Sequence, residues 1–180
     1  MEIVAMVIAI MLFAAMAPMS ASKKRGETQK ILAKMLLDEQ FVTSAVIDVG
    51  EMSLYLDRVN RKFFLRKTRT DLVVEILSFD DVTGVQVLDD GTRIFAAADG
   101  RIQTDLLFSN NTPELLKKSS SCEAMMVAVY FHHNYAPELL IPIIGEPISR
   151  RFFAYREALF TAKRLTEAFA EMIGCTILHG

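Results

Sequence analysis

The sequence has few of the residues that build reactive centres. Its two cysteines, Cys122 and Cys175, lie far apart without ligand residues at metal-binding spacing, so a cytoplasmic domain would keep both as thiols. Its eight glycines are not grouped as a dinucleotide-binding or phosphate-binding loop. A net charge of -2 at pH 7 lacks the clustered positive excess that nucleic-acid-binding domains carry. The sequence therefore predicts no phosphate-cradling loop and no nucleic-acid partner.

Two acidic pairs, Asp80-Asp81 and Asp89-Asp90, are the obvious candidates for a cation site or an acid/base pair. Neither pair has the spacing of a calcium loop, and no partner motif stands near either. Asp89-Asp90-Gly91 is typical of a tight turn. We therefore interpret the second pair as turn residues.

Histidines and serines give no stronger signal. His132 and His133 end a predicted strand, where successive side chains point to opposite faces, and His179 lies in the C-terminal tail. The serine run over 119–121 has no nucleophile-elbow sequence. The sequence thus predicts no catalytic residue, no metal site and no cofactor, and so a protein that is not an enzyme.

The long apolar run at the N-terminus is the most informative feature of the chain. Residues Ile3 to Ala21 carry no charge, and a helix of about 19 residues is long enough to cross a hydrocarbon core. Lys23, Lys24 and Arg25 follow at once, while only Glu2 precedes the run. Because basic flanks stay in the cytoplasm, the run predicts a single-pass inner-membrane anchor with the remaining chain cytoplasmic.

Two other interpretations of this run stay open. A cleaved secretory signal has some support in Ala15-Met16-Ala17, but Pro18 would follow the cut and Glu2 has the wrong sign for the leading region. In that case the protein would be secreted or periplasmic. A buried N-terminal core helix is the third possibility.

The rest of the chain divides into a linker and one domain. After the predicted anchor at 3–21, residues 22–42 form a basic juxtamembrane linker with a short helix over 26–38, where apolar residues recur at helical spacing. Residues 43–174 form a β-rich domain that ends in a helix over 149–173. The predicted strands are Ala45–Val49, Met52–Asp57, Lys62–Arg66, Leu72–Phe79, Val82–Leu88, Thr92–Ala96, Met125–His132 and Leu139–Ile144.

Turns and loops in this domain are predicted from local residue types. Arg58-Val59-Asn60-Arg61 is predicted to be a hairpin turn in which Asn60 is able to take positive φ, and Pro142 confines its strand to a sheet edge. Residues 97–121 read as a long loop, which includes a possible short helix capped by Thr112.

The final helix carries one apolar stripe. Ser149 is its predicted cap and Gly174 its predicted stop. The stripe consists of Phe152, Tyr155, Leu159, Ala162, Thr166, Phe169 and Ile173. This order predicts an α+β fold with a split barrel or strongly bent antiparallel sheet closed by the helix.

The segment from Leu77 to Gly91 resembles a hairpin found in bacterial domains of the pleckstrin-homology-like fold, with the pattern aromatic-x-Asp-Ile-x-x-Val-x-Val-x-x-(Asp)-Gly. The later segment Val127 to Ile144, with Pro137 in its turn, and the long final helix are similar to the same layout. The resemblance covers most of 43–173. It implies a largely uncharacterised group of bacterial membrane-anchored proteins, and a fold that hosts lipid, peptide and protein binders alike.

The most suggestive local chemistry is a basic hairpin. It consists of Arg58, Arg61, Lys62, Arg66 and Lys67, with Arg69 beyond them. Beside an anionic membrane each basic residue contributes about 1 kcal/mol, so the hairpin is a candidate headgroup site, and the resemblance favours this position too. The competing interpretation is a solvated hairpin, since charged residues commonly cover exposed strands. A second basic group consists of Lys23, Lys24, Arg25, Lys30 and Lys34. Orientation of the anchor is its simplest role and by itself explains the first three residues, and selective lipid binding is the alternative.

Two functional classes follow from these observations. The first is a non-catalytic, membrane-tethered binding or scaffold module that engages an unknown protein partner at the cytoplasmic membrane face, with lipids contacting the anchor. The alternative is a peripheral module that senses anionic headgroups through the basic hairpin. A secreted or periplasmic protein after signal cleavage is the second alternative.

Overall fold

The computed structural model describes residues 30, 32–67, 72–73, 76–108, 120–132 and 137–177. Over these residues the fold is α+β, with antiparallel sheets and a C-terminal helix. A short helix covers residues 32–38. The later elements are β1 (Ala45–Val49), β2 (Met52–Asp57), β3 (Lys62–Lys67), β4 (Leu72–Val73), β5 (Leu77–Ser78), a 3-10 turn (Phe79–Asp81), β6 (Val82–Asp89), β7 (Thr92–Ala98), β8 (Arg101–Asp105), β9 (Ser121–Cys122), β10 (Met125–Phe131), β11 (Glu138–Ile144), β12 (Ile148–Ser149) and the C-terminal helix (Phe153–Met172).

The predicted anchor at 3–21 and the basic residues at 23–25 lie outside the described residues. Within the described part of the chain, no helix is both long and apolar enough to cross a membrane.

The first sheet has the order β1-β2-β3-β4, with β5 also paired to β3. Alternation sends one side chain in two towards the shared core, including Leu54, Leu56 and Phe63. On the other face Phe64 is buried as well, because its ring stacks on Tyr55 at 4.6 Å and meets Phe41 edge-on at 5.0 Å. The polypeptide that precedes β1 therefore covers part of this outer face.

The turn between β2 and β3 lies where the sequence predicts it. Arg61, not Asn60, adopts positive φ, at 54°. Asn60 instead shapes the turn through its side-chain amide, which donates to Asp57 Oδ2 and to the carbonyl of Gln40. Asparagine tolerates positive φ and also bonds locally to backbone and carboxylate, and here the second property decides its place.

The second sheet has the order β11-β10-β6-β7-β8. Pro142 lies on β11, an edge strand, as the missing N–H of proline requires. Asp90 and Gly91 join β6 to β7 with φ of 49° and 74°, the geometry of a tight hairpin turn.

The predicted loop over 97–121 is wrong over much of its described part. Strand β7 continues to Ala98, Asp99 and Gly100 make a second turn with positive φ, and β8 follows. The strand escaped detection because β8 is an exposed sheet edge whose polar side chains hide the alternation. Residues 121–122 form β9, which pairs with β12. The predicted helix after Thr112 lies outside the described residues.

The C-terminal helix closes the core of both sheets, since it packs on β6, β10 and β11 and reaches β1. The predicted stripe is buried from Tyr155 to Phe169, but Phe152 is 66% exposed. The helix begins at Phe153 rather than near 149, because Ser149 belongs to β12 and pairs with Ser121 instead of capping the helix. Gly174 follows its end with φ of 74°, as a glycine stop requires.

Candidate functional site

Five polar side chains meet at one end of the second sheet, where β6, β9, β12 and the C-terminal helix converge. We call this group the buried polar cluster, and it consists of Asp89, Asp90, Cys122, Arg150 and Tyr155. Asp89 is 3% exposed and Arg150 is 4% exposed, so their charges are almost completely removed from water. Such charges are stable only when paired and hydrogen-bonded.

Arg150 is both paired with carboxylates and hydrogen-bonded through all three of its guanidinium nitrogens. Its Nη1 and Nη2 atoms donate to the two carboxylate oxygens of Asp89, the second at 2.8 Å, which is a bidentate pair. Nη2 also reaches Asp90 Oδ2 at 2.7 Å, and Nε donates to the carbonyl of Ser121 at 3.1 Å. The guanidinium thus joins the β6–β7 turn to β9.

Tyr155 and Cys122 complete the coordination of Asp89. The Tyr155 hydroxyl accepts from Arg150 Nη1 at 2.6 Å and donates to Asp89 Oδ2 at 2.8 Å. The Cys122 thiol donates to Asp89 Oδ1, with a sulfur–oxygen distance of 3.2 Å. The side chains of Asp89, Cys122, Arg150 and Tyr155 are all buried. The cluster therefore ties the C-terminal helix to the second sheet.

The electrostatics of the cluster hold its thiol and its phenol neutral. Burial raises the pKa of Cys122 to about 12, and the adjacent Asp89 carboxylate adds to the effect. Burial and Asp89 likewise raise the pKa of Tyr155 well above its usual value. A thiol needs a lowered pKa to act as a nucleophile near neutral pH, so the geometry makes Cys122 a structural residue.

Asp89, Asp90 and Cys122 also place three potential metal-ligand atoms within 4.8 Å of one another. The Arg150 guanidinium already occupies the carboxylate oxygens of both aspartates. A divalent cation would have to displace a buried, bidentate arginine, so this set does not fit a metal site.

Asp89 was predicted to be a turn residue, and that is wrong, because the turn is made by Asp90 and Gly91 alone. Asp89 is the last residue of β6 and lies on the same inward face as Val85 and Val87. The alternation carried this signal, since the pattern Val85-x-Val87-x-Asp89 points an aspartate into the core. Its partner Arg150 is 61 residues away in sequence, and nothing local identifies it.

A second feature is an open groove of about 420 Å³ between the two sheets, bordered by the C-terminal helix. Its lining residues are Asp48, Val49, Gly50, Ile143, Ile144, Gly145, Glu146, Ile148, Ala154, Glu157, Ala158 and Thr161. The floor is apolar, and every charged lining residue is acidic. Strands β1 and β11, whose ends border the groove, are both edge strands among the described strands. We call this feature the acidic groove.

The structure places three residues of the basic hairpin next to acidic side chains. Arg58 pairs with Glu171 at 3.1 Å, Arg61 with Asp80 at 2.9 Å, and Lys62 with Glu39 at 2.6 Å. Arg61 also lies over the ring of Phe79 at 5.5 Å. Three of its cations are thus neutralised by carboxylates of the same chain.

The remaining predicted basic residues are dispersed. Arg66 is half-buried on β3, Lys67 is exposed at the end of that strand, and Arg69 lies outside the described residues. Lys30 is exposed, and so is Lys34 on the short helix. The structure brings Arg58, Arg61 and Lys62 to one end of the first sheet but does not bring all the predicted residues together.

The same end of the first sheet holds the linker. Asp57 is fully buried and accepts hydrogen bonds from the backbone N–H groups of Val42 and Asn60 and from the Asn60 amide. Burial opposes ionisation of Asp57, but these donors outweigh it and lower the pKa of the carboxyl. The hairpin therefore fixes the polypeptide that leads out of the short helix.

Of the three histidines, only His132 lies in the part of the chain that the structure describes. His132 is exposed, and its backbone N–H donates to the carbonyl of Asp81. His133, His179 and Ser119 lie outside the described residues.

Asp81 caps the 3-10 turn by accepting from the Ser78 N–H.

No protein-family model, curated protein or solved structure matches this chain.

Proposed function

We propose that this protein is a non-catalytic, membrane-tethered binding module whose domain engages a protein partner at the cytoplasmic membrane face. Its fold would be a pleckstrin-homology-like split barrel. Two antiparallel sheets that share one core, with a long helix packed across their open end, support that assignment.

The acidic groove is the observation that carries the proposed function. It lies where two edge strands and the helix leave an opening, and edge strands offer unpaired N–H and C=O groups to an added strand. Val49, Ile144 and Ala158 supply a buried apolar floor. Such a groove accepts an extended peptide segment, with backbone pairing for affinity and the floor for side chains.

Charge defines the chemistry of the partner. Asp48, Glu146 and Glu157 give the rim three negative charges, and none of the lining residues that the structure describes is basic. A segment that carries lysine or arginine beside apolar residues complements this rim, whereas an acidic segment is repelled. The proposed partner therefore presents a basic, partly apolar, extended segment.

The alternative of headgroup binding through the basic hairpin has less support. A phosphate would have to compete with Glu171, Asp80 and Glu39 for Arg58, Arg61 and Lys62. These ion pairs are at the surface and are individually worth about 0–1 kcal/mol, so they weaken such a site rather than forbid it.

The test is recovery of a partner from membranes solubilised in mild detergent, with Glu146→Lys as the variant. Reversing one rim charge should sharply reduce recovery of any partner held by the groove. Asp38→Lys, an equal charge change at an exposed site on the short helix, is the matched control and should leave recovery unchanged. Equal recovery with both variants would contradict the assignment of the groove.

A further inference from the structure

The outward face of the C-terminal helix carries aromatic and basic side chains. Phe153 is 72% exposed and Phe160 is 62% exposed, and seven residues of helix put them within about 20° of each other around the axis. The arginines at 156 and 164 lie on the same side and are exposed. We call these four residues the helix crest, namely Phe153, Arg156, Phe160 and Arg164. Phe152 and Arg151 extend it at the start of the helix.

The arginines of this region differ from those of the basic hairpin. Arg151, Arg156 and Arg164 form no ion pair with any side chain in the part of the chain that the structure describes. Arg58 and Arg61 of the hairpin do pair with acidic residues. The helix therefore places arginines without a carboxylate partner among the described residues next to exposed aromatic rings.

This combination has a specific physical use. Exposed aromatic rings gain free energy by entering the boundary between headgroups and acyl chains, and arginines beside them pair with anionic phosphates. Three phenylalanines grouped within nine residues and exposed by more than half are not the scattered single apolar residues of ordinary surfaces. We infer that the helix crest is a membrane-docking surface that lays the C-terminal helix on an anionic lipid leaflet.

The length of the chain allows this arrangement. Nine residue steps separate Ala21, the end of the apolar run, from Lys30, which spans at most about 30 Å when extended. With the run inserted, the domain stays close enough for one face to touch the leaflet. The inference rests on the membrane tether of the proposed function but not on its protein partner.

A second copy of the chain is a poorer occupant of the crest. A symmetric contact would bring arginines close to arginines. Of the acidic residues on this side of the helix, Glu171 already pairs with Arg58 of its own domain, and Glu157 belongs to the rim of the acidic groove. An anionic lipid surface offers the complementary charge directly.

The chain contains no tryptophan, so one introduced tryptophan reports on one position. The full chain with Phe160→Trp is reconstituted into vesicles of phosphatidylglycerol and phosphatidylcholine, with bromine atoms placed on the acyl chains near the headgroups. We expect blue-shifted emission that the bromolipid quenches. Val59→Trp is the matched control, because Val59 is 75% exposed at the tip of the basic hairpin and should stay unquenched.

Two further experiments test whether electrostatic attraction between the arginines and the anionic lipid contributes to docking. Raising salt from about 0.1 M to about 1 M shortens the Debye length from about 10 Å to about 3 Å and should weaken the quenching. Adding Arg156→Ala and Arg164→Ala to the Phe160→Trp chain should lower the docked-to-undocked ratio roughly 30-fold, at about 1 kcal/mol for each arginine.

Several results would overturn the inference. Quenching at Val59→Trp alone would assign the membrane contact to the hairpin. A blue shift at Phe160→Trp without bromolipid quenching would mean that protein covers the crest. If neither position is quenched while the chain floats with the vesicles, the tether stands and the docking surface does not. If the chain does not float at all, the tether of the proposed function fails as well.

Discussion

Arg150 is the residue on which the polar interior of the domain depends. Its guanidinium bonds to Asp89, Asp90, Tyr155 and the carbonyl of Ser121 and lies 5.1 Å from the centre of the Tyr155 ring. Hydrogen bonding to Asp89 raises the pKa of Arg150 further above its usual value, so the charge persists at every relevant pH. Removing the arginine leaves a buried carboxylate without a cation.

Arg150→Met should therefore lower the free energy of unfolding by about 3–5 kcal/mol, the usual effect of breaking a buried ion pair from one side. Urea denaturation measures this change. Arg151→Met alters the neighbouring, exposed arginine and should change stability by no more than about 0.5 kcal/mol. Similar values for the two variants would mean that the buried polar cluster does not stabilise the fold.

Acid stability should reflect Asp57 and Asp90. The pKa of each is lowered in the folded state: burial opposes the shift, but hydrogen bonds from Val42 and Asn60 to Asp57, and from Ala124, Glu123 and Arg150 to Asp90, outweigh it. A carboxyl whose pKa is lower in the folded than in the unfolded state stabilises the fold. This stabilisation is complete above the pKa of the unfolded state, about 3.9, and is lost as pH falls through the pKa of the folded state.

We therefore expect urea midpoints to be steady from neutral pH to about pH 5 and to fall steeply below about pH 4. Asp57→Asn should reduce stability at neutral pH and flatten the acid limb, since one linked carboxylate is gone. A variant that keeps the full acid dependence of the original chain would show that Asp57 does not contribute to it.

Among the helices and strands, those whose position depends on local sequence pattern were predicted from hydrophobic periodicity. The strands β1, β2, β3, β6 and β10 and the buried stripe from Tyr155 to Phe169 follow from alternation and helical spacing. The pattern could not reveal β8, whose exposed edge needs no apolar alternation, nor the pairing of β9 with β12, which are two residues each. Ser149 was assigned to a helix cap because its pairing with Ser121 is not local.

The same limits apply to the candidate sites. The basic hairpin was found from composition, but its pairing with Glu39, Asp80 and Glu171 depends on residues 19 to 113 positions away. The acidic groove likewise joins three elements that are distant in sequence. The exposed rings at Phe153 and Phe160 are visible in sequence, but only the packing of the helix shows that they face outward.

The C-terminal helix offers a matched pair of phenylalanines. Phe169 is fully buried, with its ring edge-on to Phe63 at 5.9 Å, whereas Phe160 is exposed on the same helix. Phe169→Ala should lower the free energy of unfolding by about 3–5 kcal/mol, because it leaves a cavity in the core. Phe160→Ala should change it by no more than about 0.5 kcal/mol. Equal losses, measured by thermal or urea unfolding, would contradict the orientation of the helix.

For the whole molecule, we expect one topology across the membrane. With the apolar run as anchor and Lys23, Lys24 and Arg25 on its cytoplasmic side, a reporter enzyme fused after Gly180 stays in the cytoplasm. A reporter that works only in the periplasm should therefore show no activity, whereas a reporter that works only in the cytoplasm should be active. Periplasmic activity would favour the secretory interpretation instead.

The two proposed surfaces border each other on the C-terminal helix. Ala154 and Thr161 line the acidic groove, while Phe160 and Arg164 belong to the helix crest. An anionic leaflet attracts the crest and repels the acidic rim, so docking through the crest would leave the groove open towards the cytoplasm. In this arrangement the lipid orients the domain and the groove selects the partner.

Photo-crosslinking in intact cells from position 154, at the rim of the groove, identifies the occupant of the groove before any membrane is solubilised. A crosslinker at Gln103, exposed on β8 at the far edge of the second sheet, serves as the control. We expect position 154 to capture one discrete protein through a basic, extended segment, and position 103 not to capture it. Capture of the same proteins from both positions, or of lipid alone from position 154, would contradict it.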